Sequence, residues 1–418
     1  MTETRWLNGP VGLDAHSRVL RQGCRTVLVV VPYVVAGTRL VDVLALLEAD
    51  HRVTVVFTVA PMPNETLCHG AEQFVRAQGG FVLPWHQAVQ CEFDLILAAS
   101  ETSVAQLHGK VLLLPHGAGA MGSRLHARSA GPQACTFHGL DRGALIWRGR
   151  LVPAALPLTH DAELAVLRTS CPEALPVSTV AGDICFDRLV ASLPWRESYR
   201  AALGLGEGQK LVTVTSTWQP ESALGRHPDL LDRLAGELPT RKYRLAAILH
   251  PNIWAVHGAW QVRAWLANCL RAGLLLLPPE EGWRAALIAS DVVIGDYGSV
   301  TSYAAAIGAP VLRASSLPED NMRDDSLAAA VARLTPQLRL DWSLTGQLRA
   351  VIESHSTGLQ AAVSDLITSR PGQAGTILRR MMYGLLELPE PARQVVVHPV
   401  PLPGPVPESS NLCPRDEL

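Results

Sequence analysis

The sequence predicts an α/β protein of two doubly wound, Rossmann-like domains facing a cleft. Three observations carry this expectation. The chain has 418 residues, more than one ordinary core can organise. Short apolar runs alternate with stretches of helical periodicity, the pattern of parallel strands covered on both faces. The alternation comes in two series, separated by a polar break around Pro194.

In the first series, Thr26–Val35, Arg52–Val59, Gly80–Pro84, Asp94–Ala99 and Val111–Pro115 read as strands. Thr38–Ala49 and Thr66–Gln78 carry apolar residues at helical spacing between them. In the second, Lys210–Thr215, Tyr243–Leu249, Gly273–Leu277, Asp291–Gly295 and Pro310–Arg313 are strands. Pro228–Glu237, Val256–Arg271, Trp283–Ala289 and Ser299–Ile307 are the helices between them. Leu338–Glu387 is helical and suited to pack back across both units. The expected organisation is an N-terminal arm (1–25), a first domain (26–190), a second domain with terminal helices (191–388) and a tail (389–418). Seven prolines between Pro389 and Pro407 mark that tail as extended or disordered.

Composition excludes several functions. Hydrophobic residues make up 48% and charged residues 18% of the chain, and the formal charge is −2. Such a balance gives no footprint for nucleic acid or an anionic membrane. The apolar run Val27–Val35 falls far short of the roughly 20 residues of a membrane span. Met1–Trp6 lacks the layout of a signal peptide, so the cytoplasm is the expected location. Arg415–Leu418 resembles a retention tetrapeptide, an address without meaning outside the secretory route. Eight scattered cysteines form no CxxC pair, which argues against disulfides and zinc. No cofactor is implied.

The strongest chemical signal is Gly295-Asp296-Tyr297-Gly298-Ser299-Val300-Thr301-Ser302, where a buried strand turns into a helix. Helix N-termini offer unpaired N–H groups to an anion. Gly298 permits close approach, and Ser299, Thr301 and Ser302 add hydroxyl donors, unless Ser299 only caps the helix. Two histidines follow strands. His250 precedes Pro251, at the rim where open sheets bind ligands, and could donate to a diphosphate or serve its departure. His116 precedes Gly117 and Gly119 and could act as general base on an acceptor hydroxyl. Structural histidines at strand ends are the plain alternative for both. Ser216-Thr217-Trp218 ends another strand of the second series and could border a nucleotide, and Gly182-Asp183 with Asp187-Arg188 suits a hinge.

In this order the motifs resemble the CDP-glycerol glycerophosphotransferase family of teichoic-acid polymerising enzymes. The matches are Pro115-His116-Gly117, Gly182-Asp183 with Asp187-Arg188-Leu189, Ser216-Thr217-Trp218, His250-Pro251, and Ser290-Asp291-Val292 with Asp296-Tyr297-Gly298-Ser299. Pro115 stands where the family has Trp, Gly298 where it has Ser, and Arg124 is the available basic residue after His116. The resemblance implies a glycosyltransferase-B-like fold. It implies a CDP-linked donor held by His250, Thr217, Asp296, Gly298, Ser299, Thr301 and Ser302, with His116 at the reacting groups. Gly117, Gly119 and Arg124 then lie on the acceptor side.

The leading expectation is therefore a transferase that moves a group from a nucleotide-activated donor to a hydroxyl acceptor. One alternative is a nucleotide-sugar epimerase, which needs carboxylates in the first domain; Glu92, Asp94 and Glu101 are the candidates. Another is a non-catalytic nucleotide-binding or scaffold protein on the same fold.

Overall fold

A computed structural model describes residues 6–12, 14–62, 65–118, 139–316, 326–354 and 357–404. The strands of the first half are β1 (Arg25–Val30), β2 (Val53–Thr58), β3 (Val82–Leu83), β4 (Glu92–Ala98) and β5 (His108–Leu113). A small hairpin, β6 (Ile146–Trp147) with β7 (Arg150–Leu151), and a parallel pair, β8 (Leu156–Leu158) with β9 (Ser178–Val180), follow. The second half contributes β10 (Lys210–Ser216), β11 (Tyr243–Leu249), β12 (Leu275–Leu276), β13 (Val292–Gly295) and β14 (Val311–Arg313).

Two five-stranded parallel sheets result, ordered β3-β2-β1-β4-β5 and β12-β11-β10-β13-β14. The order is the same in both, so each sheet has a switch point beside its first strand, β1/β4 and β10/β13. Crevices at the carboxyl ends of such strands bind ligands. The first strand ends at Val30 rather than Val35, because Pro32 and the extended Tyr33 turn the chain and Val34–Val35 open a helix. The expected Val256–Arg271 helix is instead Pro251–Trp265, with non-helical backbone at Gly258, followed by Ala267–Arg271.

Six helices position the cleft: α1 (Val34–Leu44), α2 (Ile184–Ser192), α3 (Pro251–Trp265), α4 (Trp283–Ala289), α5 (Ser299–Ala306) and α6 (Ala374–Leu386). α6 crosses back to the first sheet. Its Leu378, Met382, Tyr383 and Leu386 are buried in one cluster with Val27, Val29, Leu95 and Leu97. The tail does not run free where it is described. Residues 389–404 form no helix or strand and are tied to the body at several points. Arg52 donates to the Pro389 carbonyl at 3.0 Å, and Tyr199 donates to the Val400 carbonyl at 2.8 Å. Val400 is buried and its N–H reaches Ser192 Oγ at 2.9 Å. Side chains of the folded body thus satisfy a backbone that proline bars from sheet and helix.

Asp187 fastens the crossover. Its carboxylate, 4% exposed, accepts from the Gly372 N–H at 2.7 Å and the Ala374 N–H at 3.0 Å, at the start of α6. Burial pushes this carboxyl up to about 6 despite those two donors. A folded pKa above the unfolded one means that the native state holds the proton more tightly. The stability from this group is therefore present in acid and lost as pH rises through about 6. Asp187→Ala should cost about 2 kcal/mol near pH 4. Urea denaturation should show that cost shrinking between pH 4 and 7; a cost that grows with pH contradicts the assignment.

Candidate active site

The carboxyl ends of the two sheets face each other across a cavity of about 610 Å³, within the range of small-ligand sites. One wall comes from α1 and the loop after β5, the other from the ends of β10, β11 and β13.

His116 lies three residues beyond β5. Its Nδ1 is 2.9 Å from the Ala99 carbonyl, which can only accept, so Nδ1 carries the proton and Nε2 is the basic nitrogen of the neutral ring. The Tyr33 ring stands edge-on against it at 5.7 Å. His250, on the opposite wall, is the N-cap of α3. Its Nδ1 accepts from the Asn252 N–H at 3.1 Å, so its proton resides on Nε2. The two histidines are thereby held in opposite tautomers, one presenting Nε2 as an acceptor and the other presenting it as a donor.

Between them begins α5. Its N-cap is Gly298, and no side chain caps it. Ser299 is the first helical residue, not the cap, so its hydroxyl is not spent on its own backbone. It lies against the loop of the other wall: a Cβ on Gly117 would sit 3.5 Å from Ser299 Oγ. Uncapped N–H groups, a hydroxyl and the positive end of a helix converge here, a local arrangement that suits an anionic phosphate.

Four expected phosphate ligands are placed differently. Asp296 is 1% exposed and turned beneath the turn. It accepts from Thr217 N at 2.7 Å, Thr217 Oγ1 at 2.8 Å, Ala223 N at 3.1 Å and Gly298 N at 2.9 Å. Burial raises its pKa against those donors. It clamps the switch point by joining the end of β10 to the end of β13. Thr217 lines the cavity, but its hydroxyl proton goes to Asp296. Thr301 is fully buried against Gly295, and Ser302 donates to the Gly298 carbonyl at 3.4 Å. Thr301, two residues on from Ser299, lies on the opposite, buried side of the helix, whereas Ser302 returns its hydroxyl to the helix's own backbone. Gly119 and Arg124 lie outside the described residues.

The sequence reading missed the cleft floor. Arg39 and Asp42, one turn apart on α1, are both buried. Arg39 Nη1 binds Asp183 Oδ1 at 2.9 Å, and Arg39 Nη2 donates to Tyr303 Oη at 2.9 Å and to the Gly117 carbonyl. Asp42 takes Arg284 of α4 at 2.8 Å and also pairs with Arg188 of α2. Burial works against the ionised Asp42, but Arg284 and Arg188 hold its pKa below the usual value. Two salt-bridge clusters thus join the domains. Of the epimerase candidates, Glu92 is exposed at the start of β4, and Asp94 is bound to Arg25 and Thr26 at the far end of the sheet. Only Glu101 reaches the carboxyl rim, in a small side cavity that also touches His116.

No family model matches the chain, and no curated protein does. Solved structures do. The wall teichoic acid polymerase TagF, in a variant soaked with CDPG, superposes with a TM-score of 0.58 at 11% identity, covering 88% of this chain and 90% of that one. The chain shares its fold with TagF. A second TagF structure gives a TM-score of 0.56 at 12% identity over 87% of this chain and 89% of its own. A UDP-GlcNAc 2-epimerase from Neisseria meningitidis, bound to UDP-GlcNAc, gives 0.48 at 15% identity over 87% and 100%. The glycosyltransferase-B-like architecture implied by the motifs is therefore present, and the neighbours of the fold are enzymes. No helix among the described residues is long and apolar enough to cross a membrane.

In the turn before α5 a side chain at Gly298 would crowd its neighbours. Its φ of −72° is ordinary, so the requirement is space. An added Cβ would lie 2.7 Å from Thr217 Cγ2 and 3.1 Å from Asp296 Oδ1. Gly298→Ala should lower stability by about 1–3 kcal/mol through this overpacking. An unchanged melting temperature would show that the turn has room.

Proposed function

We propose that the protein is a transferase that moves a group from a nucleotide-diphosphate-activated donor, CDP-linked, to a hydroxyl acceptor. The observation that carries this reading is the pair of histidines held in opposite tautomers on facing walls, with the uncapped start of α5 between them. The motif resemblance and a structural neighbour soaked with CDPG support the CDP-linked donor.

The donor's diphosphate rests on the first-turn N–H groups of α5 and Ser299 Oγ, with His250 Nε2–H completing the cradle. The acceptor hydroxyl approaches from the wall of the first domain. His116 Nε2 removes its proton as the oxygen attacks the donor phosphorus or anomeric carbon. The bond to the nucleotide breaks, and the departing phosphate keeps the electron pair under the donors of the cradle. His116 and the cradle thus act on opposite ends of the bond being exchanged, and uncapped dipoles stabilise charge where it accumulates.

Two measurements test this. CDP at 100 times its Kd should stabilise the fold by about 2.7 kcal/mol through mass action, read as a rise in melting temperature. No stabilisation by any nucleoside diphosphate at millimolar concentration sinks the proposal. The second test separates binding from chemistry. Ser299→Ala removes one donor to a charged group, about 1.5–3 kcal/mol, and should weaken CDP binding about tenfold or more. His116→Ala should leave CDP affinity nearly unchanged while turnover falls about 10²- to 10⁴-fold. Equal loss of CDP affinity in both folded variants would overturn this division of labour.

A further inference from the structure

We infer that Tyr303 is a positioning residue for the His116 base, reaching it across the domain boundary. The inference rests on the proposed role of His116, but its first test does not.

His116 belongs to no regular element. β5 ends at Leu113, and the chain continues as a loop in which Gly117 has a left-handed φ of +73°. A glycine imposes little backbone restraint of its own, so the peptide beside the base needs an external hold. That hold grips the Gly117 carbonyl. Tyr303 Oη lies 2.9 Å from it, and Arg39 Nη2 donates to the same oxygen. Tyr303 Oη is also 2.7 Å from Asp183 Oδ2, so one phenolic hydrogen is shared between a carboxylate and the carbonyl. Arg39 supplies the remaining donors to Tyr303, Asp183 and Gly117. Tyr303 is 1% exposed, and Trp283 of α4 packs on its ring at 5.9 Å, so the hydroxyl has little freedom to leave.

The placement of Tyr303 gives the contact its meaning. Tyr303 sits four residues after Ser299 on α5, so the two share one helix face. The first turn of α5 offers donors to the phosphate, and the second turn holds the loop of the base. One rigid helix in the second domain therefore sets the distance between the departing nucleotide and a base carried by the first. Reacting groups must be aligned to well under an ångström, and a shift of about 1 Å can cost about a hundredfold in rate.

Tyr303→Phe removes the hydroxyl and keeps the packed ring. In 15N-histidine NMR spectra recorded without ligand, and assigned with His116→Gln, the native His116 ring should show one tautomer with the proton on Nδ1. Tyr303→Phe should give a mixture and a displaced pH titration of that ring, which a change in stability alone would not produce. In turnover assays kcat should fall about tenfold to a hundredfold while the donor KM stays within about twofold. Arg39→Lys, which keeps a cation beside Asp183 but loses the second arm to Gly117, is the companion variant should Tyr303→Phe fail to fold. An unaltered His116 spectrum in whichever variant folds overturns the inference. Altered spectra in a protein that CDP does not stabilise would leave Tyr303 as the holder of His116 and refute the proposed function instead.

Discussion

Arg39, Asp183 and Tyr303 meet where three segments converge: the first helix of one domain, the start of α2 at the join, and α5 of the other domain. Both terminal guanidinium nitrogens of Arg39, both Asp183 oxygens and the Tyr303 hydroxyl have partners, and Asp183 is further held by the Phe186 N–H at 3.0 Å. Removing one member of such a buried set strands the others and typically costs about 3–5 kcal/mol. By contrast, the exposed pair Arg339–Asp341 is screened by solvent and contributes little. Burying ions adds little net stability, yet it penalises every domain orientation in which they fail to meet. The cleft therefore has a defined width, which sets the separation between His116 on one wall and the start of α5 on the other.

The sheets were legible in the sequence because parallel strands buried on both faces are nearly continuous apolar runs. Tyr243–Leu249 and Trp283–Ala289 match the predicted limits, and most other elements lie within a few residues of them. Val34 and Val35 were misread because apolarity alone cannot distinguish the end of a strand from the buried first turn of a helix. The tail was read as extended or disordered, and its attachment to the body was not legible because composition registers what proline prevents. A strap that borrows donors and acceptors from an existing surface needs neither helix nor sheet, so nothing in its own residues marks Val400 as a buried contact.

The site was legible in part, for related reasons. His116, His250 and Ser299 follow strands or open a helix, and strand-end position predicts rim position. The turn residues Asp296, Thr217, Thr301 and Ser302 share that location, but whether a side chain faces ligand or core depends on one or two steps of rotation. Arg39, Asp42 and Arg284 were invisible for another reason. A charged residue on an amphipathic helix normally marks the solvent face, and only the approach of a second domain converts that face into an interior.

The position of α6 in the chain bears on how the protein is made. Leu378, Met382, Tyr383 and Leu386 complete the core of the first sheet, yet they are separated from β1 by more than 340 residues. During synthesis the N-terminal half leaves the ribosome with that face of its sheet uncovered, through the whole time needed to translate the second domain. At about 5–20 residues per second this interval lasts tens of seconds. Chaperone demand should therefore fall on the nascent first domain, and a truncation that spares every cleft residue but deletes 374–388 should yield aggregates.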